Sequence, residues 1–247
     1  MKWRSLEESA AVSETRSLRE VFAERKQLIA KYVPAETQAV HARVVAELQA
    51  SGIAERALQP HNRAPEFELP DQNGKPFRSA DLLQTGPLII CFIRGRWDPF
   101  CVGQMEAMNA VVPELQSLGA KLVTISPQTV HHNYLMSDQH KLQFPLLSDA
   151  CNQIARQFGI VYRVPDYQQE VYKRVFVNLP FLNGDSSWEL PIPATFVLGH
   201  GRDALHPADA SSEHPGEAKI LYCSANPDYT DRPEPAALLH FLAQISS

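Results

Sequence analysis

The stretch Arg94-Gly95-Arg96-Trp97-Asp98-Pro99-Phe100-Cys101 holds the residue types and spacing in this chain that best support chemistry. Asp98 followed by Pro99 is a strong helix start: aspartate accepts a bond from free amides, and proline at the first helical position gives up none. Cys101 then falls in the first helical turn, where free amides and the helix dipole favour a thiolate. Arg94 and Arg96 act in the same direction, and either one is expected to pair with Asp98 or with the sulfur. Asp98 opposes them, because a carboxylate beside the sulfur disfavours a second negative charge. The expectation is that amides and cations prevail and leave Cys101 deprotonated. The plainer alternative makes Asp98 only a cap, Cys101 a small semi-buried hydrophobe and the arginines solvated surface.

The other candidates are weaker. Cys91 lies inside an apolar run and reads as core, whereas Cys151 and Cys223 sit at element ends where either could be exposed. Four cysteines in 247 residues lack the density or spacing of a disulfide framework or a zinc site. No resolving partner for Cys101 is close in sequence, so a one-cysteine cycle is the simpler expectation. His131, His132 and His140 share one predicted helix without further ligands, which favours solvated surface over a metal site. No metal or organic cofactor is expected.

These residues need elements to position them. Apolar residues at helical spacing over 14–32, interrupted on their stripe only by Arg25, predict an amphipathic helix ended by Pro34. Val40, Val44, Val45 and Leu48 predict a second, stopped at Ser51-Gly52. Residues 1–58 thus form a helical hairpin, which could cover its own domain or a partner subunit in a homodimer. From residue 59 the periodicity changes. Phe67 and Leu69, the Asp71–Gly74 turn and Phe77 predict a β-hairpin, and Ser79 a helix cap. Leu88–Ile93 is a strand apolar on both faces, and a helix over 99–118 leads to the strand Lys121–Ile125. A helix over 131–140, a strand at 144–147 and a helix over 149–158 follow. Residues 160–190 read as an irregular aromatic insertion, 195–198 and 220–222 as a hairpin with a long loop from Gly199 to Lys219, and Pro235 opens a last helix. The fold class is α/β, with a central sheet and covering helices.

The charge of −5, from 23 basic and 28 acidic residues, is spread along the chain and offers no positive face to nucleic acid. The N-terminus has no apolar stretch of signal type and no window approaches a membrane span, so a cytoplasmic location is expected.

Ala64-Pro65-Glu66-Phe67-Glu68-Leu69-Pro70-Asp71-Gln72-Asn73-Gly74-Lys75, with Cys101 after a buried strand and Ile125-Ser126-Pro127-Gln128 later, resembles the alkyl hydroperoxide reductase and thiol-specific antioxidant family. The likeness runs from about residue 60 onward and is greatest to a peroxiredoxin-like bacterial branch, which Trp188–Thr195 also resembles. It implies a thioredoxin-like fold over 59–247, Cys101 as the peroxidatic cysteine, a peroxide or disulfide substrate, and reduction by an external small thiol or a thioredoxin-type protein. Trp97, Phe100, Pro193 and Thr195 would shape the substrate surface. Asp98 stands where that family has threonine or a further cysteine, Arg94 where it has proline, and Gln104 where it often has glutamate. Pro193 resembles the cis-proline of thioredoxins, at a place where typical peroxiredoxins put an arginine, and Arg94 would replace that charge. The competing expectation is a non-catalytic binding module of the same fold, its thiol quenched by Asp98.

Overall fold

A computed structural model describes residues 16–200 and 217–245. The continuous apolar run becomes β3 (Leu88–Phe92), the central strand of a five-stranded sheet whose order is β5-β4-β3-β8-β9. The remaining strands of that sheet are β4 (Lys121–Ser126), β5 (Leu146–Ser148), β8 (Ala194–His200) and β9 (Ala218–Ala225). β3, β4 and β5 run parallel, whereas β8 and β9 are antiparallel to their neighbours. Every residue of β3 is buried because both faces of the sheet are covered. Ile90, Phe92, Ile125 and Phe196 pack on one face, Ile89, Cys91, Leu122 and Val197 on the other.

Two short ribbons flank the sheet: β1 (Glu68–Pro70) with β2 (Pro76–Arg78), and β6 (Val161–Arg163) with β7 (Glu189–Pro191). In chain order the helices are α1 (Leu18–Tyr32), α2 (Ala35–Ala50), α3 (Ile53–Arg56), α4 (Ser79–Leu83), α5 (Pro99–Ala110) and α6 (Val112–Ser117). They continue with α7 (Val130–His140), α8 (Gln153–Gln157), α9 (Asp166–Arg174), α10 (Leu179–Asn183) and α11 (Pro235–Ile245). No helix among the described residues is long and apolar enough to cross a membrane.

The structure corrects several expectations. The helix expected over 99–118 breaks at Val111 into α5 and α6. The one expected over 149–158 opens with a 3-10 turn, because Cys151 and Asn152 adopt φ of 58° and 53° while the Asp149 carboxylate accepts the amides of Ile154 and Ala155. Ser79 is no cap; its hydroxyl accepts the Phe67 amide and ties β1 to α4. The insertion is ordered as β6, α9, α10 and β7. The long loop between β8 and β9 lies largely outside the described residues.

The hairpin covers its own domain. Ser17 and Glu20 form a reciprocal cap at the start of α1, and the Glu234 carboxylate accepts the Leu18 and Arg19 amides at 3.0 and 2.7 Å. Phe22 packs edge-on against Phe100, with ring centroids 5.0 Å apart. Arg25, the polar residue in the apolar stripe of α1, donates to the Pro99 carbonyl at the start of α5. Gly103 makes this approach possible, since a Cβ there would collide with Arg25 and sit 3.0 Å from Phe22.

On α2, His41 lies against Tyr172 and Tyr229 with its Nδ1 3.3 Å from Gln168 Nε2. Burial first, and then Arg94, pushes the imidazole pKa down to about 4, the nearby Asp98 carboxylate opposing them. A base with a lowered folded-state value contributes fully above its unfolded pKa, and that contribution is lost as pH falls towards 4. The hairpin should therefore be weakened by about 2 kcal/mol at pH 5 relative to pH 7.5. Once the slower intrinsic exchange at low pH is divided out, the protection factors of α2 amides should fall accordingly at pH 5 in the native protein, and His41→Gln should remove that pH dependence.

Candidate active site

The crossover between β3 and α5 folds as its residues dictate. Gly95 takes φ of 139°, and a Cβ there would lie 2.7 Å from the Gln128 side chain, whose Oε1 accepts the Arg96 amide. Asp98 caps α5, its Oδ1 accepting the Phe100 amide at 3.0 Å, and Pro99 occupies the first turn as expected. Asp98 Oδ2 does two further things. It accepts Arg94 Nη2 at 2.8 Å and Nε at 2.9 Å, and it accepts the Cys101 thiol at 2.8 Å.

Arg94 is thus the arginine that pairs with Asp98. It is buried, with its guanidinium 4.0 Å from the Tyr229 ring centroid and 5.0 Å from that of Trp97. Arg96 is not part of this group: its side chain turns outward to Gln139 at 3.5 Å, because its backbone is held by Gln128.

A third charge comes from the far end of the chain. Arg232 Nη2 lies 3.7 Å from the Cys101 sulfur, and its Nε donates to Gln104 Oε1 at 3.0 Å. Gln104 Nε2 passes the chain to Thr195 Oγ1 at 3.3 Å. Arg232 lies in an irregular segment 131 residues from Cys101, with no local pattern to mark it. Only the closing of β9 back onto the sheet brings it in, so no feature of the sequence identifies it.

The surroundings of Cys101 oppose the ionisation expected for it. The sulfur is fully buried, and burial first, then the Asp98 carboxylate, pushes its pKa up to about 11 despite Arg232 and Arg94. Burial alone would raise Asp98 too, but Arg94, Arg232 and the thiol hold its carboxyl below the usual range. The resting pair is a carboxylate accepting a hydrogen bond from a protonated thiol.

Other assignments are also revised. Phe100 does not line an open surface but is covered by Phe22 and Tyr229. Thr195 is buried on β8 beside Cys91, 3.9 Å from its sulfur, and reaches Cys101 only through Gln104 and Arg232. The Ile192–Pro193 bond is trans, so Pro193 does not reproduce the thioredoxin proline; it is buried beside Arg94 and Tyr162. Trp97 keeps its place over Arg94 and against Tyr172.

Cys91 is core, its pKa pushed up to about 12 by burial, and Cys223 is half-buried and raised to about 11 for the same reason. Cys151 is exposed, and all four cysteines are free thiols. His132 is buried against Thr129 rather than solvated, and His140 lies 3.1 Å from Glu106. No group that could hold a metal ion occurs among the described residues.

A mixed sheet with covering helices, and a cysteine in the first turn of the helix that follows the central strand, define a thioredoxin-like protein of peroxiredoxin type. Residues 60–202 match the model of the AhpC/TSA family, and the chain belongs to that family. It is 34% identical over 95 residues to a peroxiredoxin of Mycobacterium tuberculosis, and 30% identical over 97 residues to peroxiredoxin Bcp of Escherichia coli. Those matches take in 38% and 39% of this chain, and the chain spans 62% of the length of each relative. Among solved structures, peroxidoxin BcpB of Mycobacterium tuberculosis superposes with a TM-score of 0.54 at 22% identity, covering 76% of this chain and 96% of that one.

Proposed function

We propose that this protein is a thiol-dependent peroxidase of peroxiredoxin type working through Cys101. The observation that carries the reading is the Cys101 sulfur held 2.8 Å from the Asp98 carboxylate and 3.7 Å from the Arg232 guanidinium, at the N-terminus of α5. A protonated nucleophile beside a carboxylate has its base in place. The sulfur attacks one oxygen of a hydroperoxide, forming S–O as O–O breaks. The thiol proton passes to Asp98 and then to the departing oxygen, giving an alcohol or water and a sulfenic acid. One external thiol displaces water from the sulfenic acid to form a mixed disulfide, and a second releases Cys101 and a disulfide. The reducing thiol is a small molecule or a thioredoxin-type protein. Arg94 holds Asp98, Arg232 stabilises the sulfur as it loses its proton, and Trp97 packs over Arg94. We assign the hairpin through residue 58 to an extension, residues 59–247 to the peroxiredoxin-type domain, and the protein to the cytoplasm.

Dilute peroxide with a sulfenic-acid trap should label Cys101 once, and Cys101→Ser should lose both that label and peroxide consumption above the uncatalysed rate. Exposed Cys151 is the internal control. The fully buried, protonated sulfur favours a second reading, a binding module with a quenched thiol. Equal labelling of native protein and Cys101→Ser would decide for it.

A further inference from the structure

The sulfenic acid needs a second thiol, and the surroundings of Cys101 restrict what can deliver it. The sulfur has no exposed surface, and α1 lies across the first turns of α5 through Phe22, Phe100 and Gly103. A protein reductant would have to displace that helix to bring its own sulfur into line. The space beside Arg94 amounts to about 10 Å³, room for no more than a water molecule. A cleft of about 290 Å³ between α1 and the segment that ends in Arg232 is of a different order. Arg232 both lines the cleft and lies 3.7 Å from the buried Cys101 sulfur, so it is the side chain that separates the two.

Apart from Arg232, the charged side chains on the two lips are of opposite sign. Arg19 and Lys26 come from α1, are exposed, and make no ion pair with a described residue. Asp228 and Asp231 come from the facing segment, and their described hydrogen-bond partners are neutral: the amide and hydroxyl of Thr230 for Asp228, the Asn226 side chain for Asp231. Leu18 and Phe22 supply an apolar wall between them. A ligand that satisfies this arrangement carries a carboxylate and an ammonium some distance apart, with an uncharged stem.

We propose that this cleft seats the reducing substrate, a small zwitterionic thiol of amino-acid or short-peptide type, its carboxylate on Arg19 and Lys26 and its ammonium on Asp228 and Asp231. The proposal rests on the peroxidase reading for the source of the sulfenic acid. The thiol end then points to Arg232, attacks the oxidised sulfur of Cys101 and releases water; a second molecule of the same thiol completes the exchange as a disulfide.

The full chain, oxidised with one equivalent of peroxide, is mixed with glutathione, with 2-mercaptoethanol or with a thioredoxin, and loss of the sulfenic acid is followed by intact mass. After allowance for thiolate fraction, glutathione should react saturably and at least about tenfold faster than 2-mercaptoethanol, and faster than thioredoxin. The double substitution Arg19→Glu, Lys26→Glu should bring the ratio of the two small thiols close to one. Equal rates in the native protein, a ratio untouched by charge reversal, or faster reduction by thioredoxin would overturn the assignment. Should no sulfenic acid form, the peroxidase reading fails, and the cleft is still tested by titrating S-methylglutathione into the reduced protein. Binding that the double substitution abolishes supports the cleft, and absence of binding to the native protein removes it.

Discussion

Asp98→Asn should make Cys101 react with iodoacetamide at pH 7 faster than the native protein, by about tenfold or more. The carboxylate 2.8 Å from the sulfur raises the thiol pKa, while Arg94 and Arg232 lower it. With Asp98 ionised and Cys101 protonated, the group carries one net positive charge, two guanidiniums against one carboxylate. Removing the carboxylate leaves two cations facing a single sulfur, and ionising that sulfur becomes the way to reduce the imbalance. Burial continues to hold the thiol up, but any fall from a pKa of about 11 raises the thiolate fraction at neutral pH about tenfold for each tenfold change in the acid constant. Asparagine still accepts the Phe100 amide, so the cap survives and the buried position of the sulfur is the same in both proteins. The rate ratio therefore reports ionisation rather than access. Thiol titration by ultraviolet absorbance gives the pKa directly. An unchanged value would show that burial and the two arginines set it without Asp98.

Arg94→Leu is expected to destabilise the fold by about 3–5 kcal/mol, the cost of leaving a buried carboxylate without its cation. Asp98 and Arg94 are both almost wholly inaccessible, and the two Arg94 nitrogens at 2.8 and 2.9 Å are the short cationic contacts of Oδ2. Leucine also forfeits the guanidinium stacked on Tyr229 and removes a charge that lowers the Cys101 pKa. The thiol should titrate still higher, so stability and reactivity fall together. Denaturant midpoints measure the loss, and the double variant Arg94→Leu, Asp98→Asn should recover most of it by removing the orphaned charge as well. A loss below about 1 kcal/mol would mean that the pair behaves like a surface ion pair rather than a desolvated one.

Local chemistry was legible wherever it is set by neighbours in the chain. The Asp98-Pro99 start of α5, the position of Cys101 in its first turn, the central placement of β3 and the C-terminal ends of α1 and α2 all follow from caps, breakers and apolar periodicity, whereas the start of α1 at its Ser17 cap did not. The pairing of Arg94 with Asp98 belongs here too, since four residues separate them. The ribbon of β6 and β7 was not legible, because strands of three residues carry no period and their central pairing partners, Tyr162 and Leu190, lie 28 residues apart on opposite sides of two short helices. The break at Cys151 and Asn152 depends on a carboxylate reaching forward to two amides, which residue types alone do not announce.

What the tertiary structure alone decided is the electrical state of the sulfur. Sequence supplied an amide-rich turn, an acid and nearby arginines, and from these the balance pointed to a thiolate. Folding buried Cys101 under α1, sent Arg96 outward, and brought in Arg232 from the far side of the chain. Charge interactions depend on distance and on the water excluded around them, and neither quantity exists until the sheet closes and the hairpin docks. The residues that can react were therefore written in the order of the chain, while the proton on Cys101 was assigned by packing.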